Sequence, residues 1–415
     1  MTQAALHARP RPSPRATFIA PAAVAFAVIW GAAALSQFGY QTHGVRLRLS
    51  EAISLLVVAA VVLAWRFAVV RPAALLLFGY ATVEIFSTLL NRPDWGRGFK
   101  LDLILLAEAV IAAIIAYLVG VLDAQTIART IVGVGTGEAV AAIVFSGLYA
   151  LHVSSFGVQI DPATNLCKAY GTMWEANLLA SFLSGILVFS LAVRSLLGRP
   201  WVQAACASLM AVAIGLTLTR AAWIAILIGV VALVVLRFGS RGQVARSELV
   251  AWTLPAGLLV AGAAVVLLAA NHGVCGHSSA IGSQATSVIG RVTNHELALS
   301  EAKHSPIFGS GTGSIQAHVA GDPHQPWISA MAIDSLHDTG VVGSLVVAGL
   351  VLLLLWKLYR ERVDAPPARQ QLINGITAAL ITLLVAFQAT TGMIMEYPWL
   401  FAGTAVGLLT SRQRS

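Results

Sequence analysis

Long apolar runs separated by short joints of Arg, Pro, Gly and Asn fill most of this chain. Bounding each run by its flanking charges, glycines and prolines predicts spans over 18–35, 51–65, 72–90, 101–122, 127–151 and 173–193. Six more follow at 202–218, 221–236, 250–270, 341–359, 374–395 and 399–410. Lipid offers no partner to an unpaired backbone amide, so runs approaching about 20 apolar residues read as helices. One stretch breaks the pattern: residues 271–338 mix glycines, hydroxyls, isolated charges and seven of the ten histidines, His272, His277, His295, His304, His318, His324 and His337. Within it, 292–304 lacks Gly and Pro and predicts a short helix near the membrane surface, after which Pro306, Gly309, Gly311 and Gly313 predict an irregular turn.

Composition agrees with this pattern. The chain has 415 residues, 58% of them hydrophobic and 11% charged, at a mean hydropathy of +0.81. These values exclude an ordinary soluble domain and predict an all-α, polytopic integral membrane protein of about 12 transmembrane helices with one large loop. The net charge of +8 is scattered between apolar runs and forms no basic patch, so topology explains it and nucleic acid does not.

Basic residues set the orientation. With the N-terminus in the cytoplasm, 17 of the 26 Lys and Arg fall inside, as the positive-inside rule requires. The expected organisation is then a cytoplasmic tail over 1–17, helices 1–9 over 18–270, a periplasmic loop over 271–338, helices 10–12 over 339–410 and a cytoplasmic tail over 411–415. The basic, Pro-rich start lacks a convincing small-residue cleavage site and reads as a tail leading into the first helix. Of three cysteines, Cys167 and Cys275 fall on the oxidising side and Cys206 in an apolar span, so a Cys167–Cys275 disulfide competes with two free thiols.

Three residues stand out as candidate chemistry. Arg220 lies between two apolar runs on the side that should be poor in arginine, where it is either a snorkelling anchor or functional. Arg291 precedes the expected surface helix; two guanidinium groups converging there would clamp a diphosphate on a lipid tail, and each alone would be an ordinary loop arginine. His337, flanked by Asp334 and Asp338 where the island re-enters the membrane, is a candidate proton acceptor, or else a helix-start cap. Arg92, Arg97 and Lys100 in an outer loop are expected to attract an anionic headgroup. The buried acids Glu84, Glu108 and Glu138, with Glu175, mark either an ion path or internal pairing with hydroxyls. No zinc-ligand register occurs around His272, Cys275 and His277, and no Asp-x-Asp pair occurs anywhere, so no metal and no cofactor are expected.

The segments ThrArgAlaAlaTrp (219–223), GluAlaLysHisSerProIlePheGlySerGlyThrGly (301–313) and SerLeuHisAspThrGlyValValGly (335–343) together resemble the O-antigen ligase and polymerase superfamily, most closely its ligase branch. The likeness covers roughly 219–344, and upstream spans agree only in number and hydropathy. It implies a glycosyltransferase that moves O-antigen from undecaprenyl diphosphate to a sugar hydroxyl of lipid A core at the periplasmic face of the bacterial inner membrane. That mechanism would be metal-independent and inverting, with the substrates and membrane lipids as its partners. Residue by residue, Arg220 and Arg291 match the diphosphate-binding arginines and His337 the proposed base. Lys303, His304 and the Arg92, Arg97, Lys100 loop match loosely, as second-rank substrate contacts. Two alternatives stay open: a polymerase of the same superfamily, and a lipid-glycan transporter or flippase with midplane polar sites and paired broken helices.

Overall fold

The computed structural model describes residues 16–42, 45–65, 75–91, 95–160, 167–238, 284–315, 328–390 and 392–411. The helices are α1 (Ala16–Ala33), α2 (Leu49–Trp65), α3 (Leu75–Asn91), α4 (Trp95–Val119), α5 (Ala124–Ala150) and α6 (Ala176–Ala192). They continue as α7 (Pro200–Leu216), α8 (Arg220–Phe238), α9 (Gln284–Ala302), α10 (Met331–Glu361), α11 (Pro367–Ala386) and α12 (Glu396–Thr410). The chain is an all-α polytopic membrane protein. Eleven of the expected spans have their helix, the span over 250–270 lies outside the described residues, and α9 is the helix expected in the polar island.

Four described helices, in α4, α5, α8 and α10, are long and apolar enough by themselves to cross a membrane. Others, such as α6 and α7 with 17 residues each, are shorter. At 1.5 Å per residue such a helix is about 25 Å long, a little under the hydrocarbon thickness. Two small antiparallel hairpins were not expected: β1 (Gly39–Thr42) with β2 (Val45–Arg48), and β3 (Val158–Ile160) with β4 (Cys167–Ala169). Cys167 is disulfide-bonded and Cys206 is free, while Cys275 lies outside the described residues.

The core runs through α6, which is buried along almost its whole length among α5, α7, α8, α11 and α12. Close packing there uses small residues. On α12, a Cβ at Gly403 would meet Ala112 O at 2.4 Å and one at Gly407 would meet Ala116 O at 2.7 Å, so the pair lets the α4 backbone lie against α12.

The two ends of the bundle differ chemically. At one end arginines cap carbonyls at helix C-termini: Arg237 Nη2 donates to Ala192 O (3.1 Å), Arg362 to Leu236 O and Arg369 to Leu408 O, with Arg369 also paired to Glu361 (3.0 Å). Cations there oppose the negative end of each helix dipole. All three belong to the basic set assigned to the inside. The opposite end gathers the hairpins and the starts of α2, α6, α8, α10 and α12. There Gln37 N–H donates to Thr172 O (3.1 Å), Arg48 Nη1 to Glu51 (2.6 Å) and to Ile394 O (2.6 Å), and Met331 N–H to Phe387 O (2.8 Å).

Three boundaries correct the sequence expectation. Helix α4 begins at Trp95, so Arg97 and Lys100 belong to its first turns and not to a loop, and Arg97 is buried. Arg92 lies outside the described residues. Helix α10 begins at Met331, ten residues before the expected 341, because Ser335, His337 and Asp338 are polar residues that a helix can bury once neighbours satisfy them. Helix α11 begins at Pro367, where proline at the first position leaves only an orphan amide unused.

Candidate functional site

Helix α10 is broken inside. Gly340 has φ +67° and ψ −169°, a conformation essentially confined to glycine, and the break leaves backbone groups without helical partners. The turn after α9 supplies them. Ser310 N–H donates to His337 O (2.8 Å), Gly311 N–H to Asp338 O (3.0 Å), Val341 N–H to Pro306 O (2.9 Å) and Val342 N–H to Ile307 O (3.1 Å). This exchange brings backbone so close that a Cβ on Gly309 would sit 2.4 Å from Asp338, and one on Gly340 would sit 2.5 Å from Ile307. The expected irregular turn is thus a docking strap, with positive φ at Gly309, Gly311 and Gly313. Ser87 on α3 closes the joint, its hydroxyl reaching Phe308 O (2.6 Å) and Asp338 O.

The strap fixes His337, whose side chain is wholly buried. Its Nδ1 lies 2.7 Å from Asp338 Oδ1 and its Nε2 lies 2.9 Å from Glu301 Oε2, in the last turn of α9. Asp338 Oδ2 also faces Gly313 N–H at 3.4 Å. A neutral imidazole has one N–H, whereas two ionised carboxylates offer only acceptors. The ring can satisfy both only as an imidazolium, so the cluster holds one proton more than a neutral histidine or else one carboxylate carries it.

Beneath the cluster, Thr312 Oγ1 lies 2.8 Å from Glu84 Oε2 and 3.0 Å from Asp102 Oδ1, and Thr312 N–H donates to Thr88 (3.2 Å). Elsewhere Glu138 accepts from Thr172 N–H (2.8 Å) and hydroxyl (2.5 Å), and Glu175 from Asn177 (2.5 Å). Glu84 and Glu138 are thus paired internally with hydroxyls, whereas the partner of Glu175 is an amide. Both carboxylate oxygens of Glu108 are buried without a hydrogen-bond partner.

The other expected residues spread along the same end. Arg220 is exposed and is the first residue of α8. It follows Leu218 at φ +54°, a left-handed conformation that costs a non-glycine residue about 1–2 kcal/mol. The Thr219 hydroxyl next to it donates to Asn177 on α6 (3.1 Å). Arg291, half-buried, shares a face of α9 with His295, Ala298 and Glu301, ten residues or about 15 Å before Glu301 along the axis. Burial, and after it the Arg291 charge, holds His295 below the usual histidine range, while its Nε2 meets the Ser329 hydroxyl (3.0 Å). Lys303 and His304 are exposed just past α9. Asp334, one turn before Asp338 on α10, takes no part in the imidazole contacts, so of the two flanking aspartates only Asp338 holds the ring.

Sequence reasoning missed Glu301. Its signal was present in the spacing of Arg291, Ala298 and Glu301 on one helical face leading into the GlySerGlyThrGly turn. Among the described residues no group of three His, Cys, Asp or Glu is placed to hold a metal ion, and His272, Cys275, His277, His318 and His324 lie outside them.

Fold and site together define a polytopic helical membrane protein that buries an acid–base cluster at one end of its bundle. Residues 205–356 match the family model described as O-Antigen ligase. The match takes in α8, α9, the strap and most of α10, hence Arg220, Arg291, Glu301, His337 and Asp338. No curated protein matches the chain.

Proposed function

We propose that the protein is an O-antigen ligase: a glycosyltransferase that moves O-antigen polysaccharide from undecaprenyl diphosphate to a sugar hydroxyl of lipid A core at the periplasmic face of the inner membrane. The observation that carries this reading is the carboxylate-bracketed His337, held by a broken helix inside the segment that matches the ligase family. A displacement at an anomeric carbon needs a proton acceptor for the incoming hydroxyl and charge stabilisation for the departing diphosphate. The His337 cluster supplies the first. Arg220 supports the second, because a guanidinium at the first residue of α8 adds its charge to the positive end of the helix dipole. Arg291 adds a second planar fork on the α9 face that also carries Glu301.

Lipid-borne substrates fit the surroundings. Ile307 and Phe308 of the strap and Val341 and Val342 just past the break are exposed among the described residues, beside a buried polar cluster. An acyl or prenyl tail would lie on those side chains while its sugar reaches the cluster. No step in this chemistry calls for a metal, so transfer is expected to be metal-independent, and a single displacement inverts the anomeric centre. Lys303 and His304, exposed just past α9, would meet sugar or phosphate oxygens.

The deciding experiment is reconstituted transfer with a defined undecaprenyl-diphosphate-linked glycan, lipid A core and chelator. Glycan on the core with inverted linkage is the expected product. Polymerised donor with unmodified core would instead make the protein a polymerase of the same superfamily.

A further inference from the structure

Resting on the glycosyl-transfer reading, we infer that Asn177, near the start of α6, is a positioning residue that aims Arg220 at the diphosphate of the donor. Arg220 opens α8 directly after a turn in which Leu218 has φ +54°, a left-handed conformation that a leucine keeps only where its surroundings hold it. Most bonds in that turn are local. Leu218 N–H donates to Gly215 O (3.0 Å), the Thr217 hydroxyl to Ile214 O (2.7 Å) and Thr219 N–H to the Thr217 hydroxyl (3.2 Å). Among the described residues one hydrogen bond ties the turn to another helix, from the buried Thr219 hydroxyl to Asn177 Oδ1 (3.1 Å).

Asn177 is itself held. A side-chain amide can present either end, but an ionised carboxylate only accepts, so Asn177 turns Nδ2 towards Glu175 Oε1 (2.5 Å) and leaves Oδ1 for the Thr219 hydroxyl. Both residues sit at the start of α6, the most deeply buried helix of the bundle, which makes a rigid anchor. The Arg220 guanidinium, by contrast, is exposed and pairs with no carboxylate among the described residues. With no side-chain partner to hold its planar fork, its reach is set by where the turn places its backbone. Glu175 orients Asn177, Asn177 fixes Thr219, and Thr219 fixes the residue that meets phosphate oxygens. A misplacement of about 1 Å in such a group can cost about 100-fold in rate, so a single bond between two helices controls the use of the donor.

The test uses the purified full-length protein in lipid nanodiscs with two readouts: the initial rate of transfer from the defined donor to lipid A core, and the binding of undecaprenyl diphosphate alone. Asn177→Ala and Thr219→Val each remove one side of the bond, and each is expected to weaken undecaprenyl diphosphate binding and to lower kcat/KM for the donor about 10-fold. Thr219→Ser keeps the hydroxyl and should stay within about twofold of wild type. Ser184→Ala, which removes a hydroxyl bonded within α6 to Ala180 O (2.6 Å), is the control and should match wild type. In an Arg220→Ala background, adding Asn177→Ala or Thr219→Val should cost less than about twofold more, because the group they misplace is already gone. Equal losses with and without Arg220 overturn the proposal and leave Asn177 a structural link between helices. Wild-type binding and transfer in both Asn177→Ala and Thr219→Val overturn it too, as does a Thr219→Ser as impaired as Thr219→Val. Should Asn177→Ala fail to fold, the two Thr219 variants decide by the same coupling to Arg220→Ala. A wild type that binds undecaprenyl diphosphate but transfers nothing to lipid A core removes the ligase reading, and Asn177 is then upheld or overturned by the binding arm alone. A wild type that does neither overturns both.

Discussion

His337, Arg220 and Arg291 could be singled out from residue type alone, because an imidazole or a guanidinium at the edge of an apolar run has few inexpensive roles. Their substitutions are the first predictions. His337→Ala should lower the transfer rate about 10²- to 10⁴-fold, and Arg220→Ala or Arg291→Ala about 10²- to 10³-fold, measured on purified protein at equal amounts. Wild-type transfer by His337→Ala would remove that residue from the site. The aspartates separate more finely: Asp338→Asn should cost more rate than Asp334→Asn, since only Asp338 contacts the ring. Glu301 was not legible in this way. A glutamate on a polar helix has many ordinary fates, and its meeting with a histidine 36 positions later depends on how the strap folds back.

At the scale of elements, hydropathy located the helices but misplaced the ends that matter. Residues 331–339 read as loop because they are polar, yet they form the first turns of α10, with His337, Asp338 and Thr339 buried against α3, α9 and the strap. The glycines before 314 predicted a turn, but not that the turn repairs a broken helix. Gly340→Ala should therefore destabilise the protein by about 1–3 kcal/mol from backbone strain alone, with the clash against Ile307 added, and should abolish transfer. Gly349→Ala, farther along α10 with open space around its would-be Cβ, should be neutral or stabilising by up to about 1 kcal/mol. Thermal unfolding of both variants in one detergent checks the contrast.

For the whole molecule, the basic residues assigned to the inside do more than set orientation. Arg237, Arg362 and Arg369 each satisfy a carbonyl at a helix C-terminus at one end of the bundle, while the acid–base cluster and Arg220 lie at the other. With Cys167 bonded and Cys206 free, Cys275 is the cysteine left by count. Proteolysis between positions 167 and 275 should therefore give fragments that separate on a gel only after reduction. Equal mobility with and without reductant would exclude that bond. Chelator should leave the initial transfer rate unchanged, and a loss restored by a divalent cation would overturn the metal-independent reaction.

The sequence by itself determined the helical membrane-spanning architecture and the polar island, and singled out His337 and Arg291 within it and Arg220 outside it as candidates. Each of those follows from composition along a short stretch of chain: a lipid-facing run must be apolar, and an isolated charge within one is conspicuous. Tertiary structure alone decided which carboxylates hold His337, which glycines are needed and where the helices of the site begin. Those outcomes arise from contacts between segments far apart in the chain, where a broken helix takes its missing hydrogen bonds from a strap ending some 30 residues earlier, and no local pattern records that exchange.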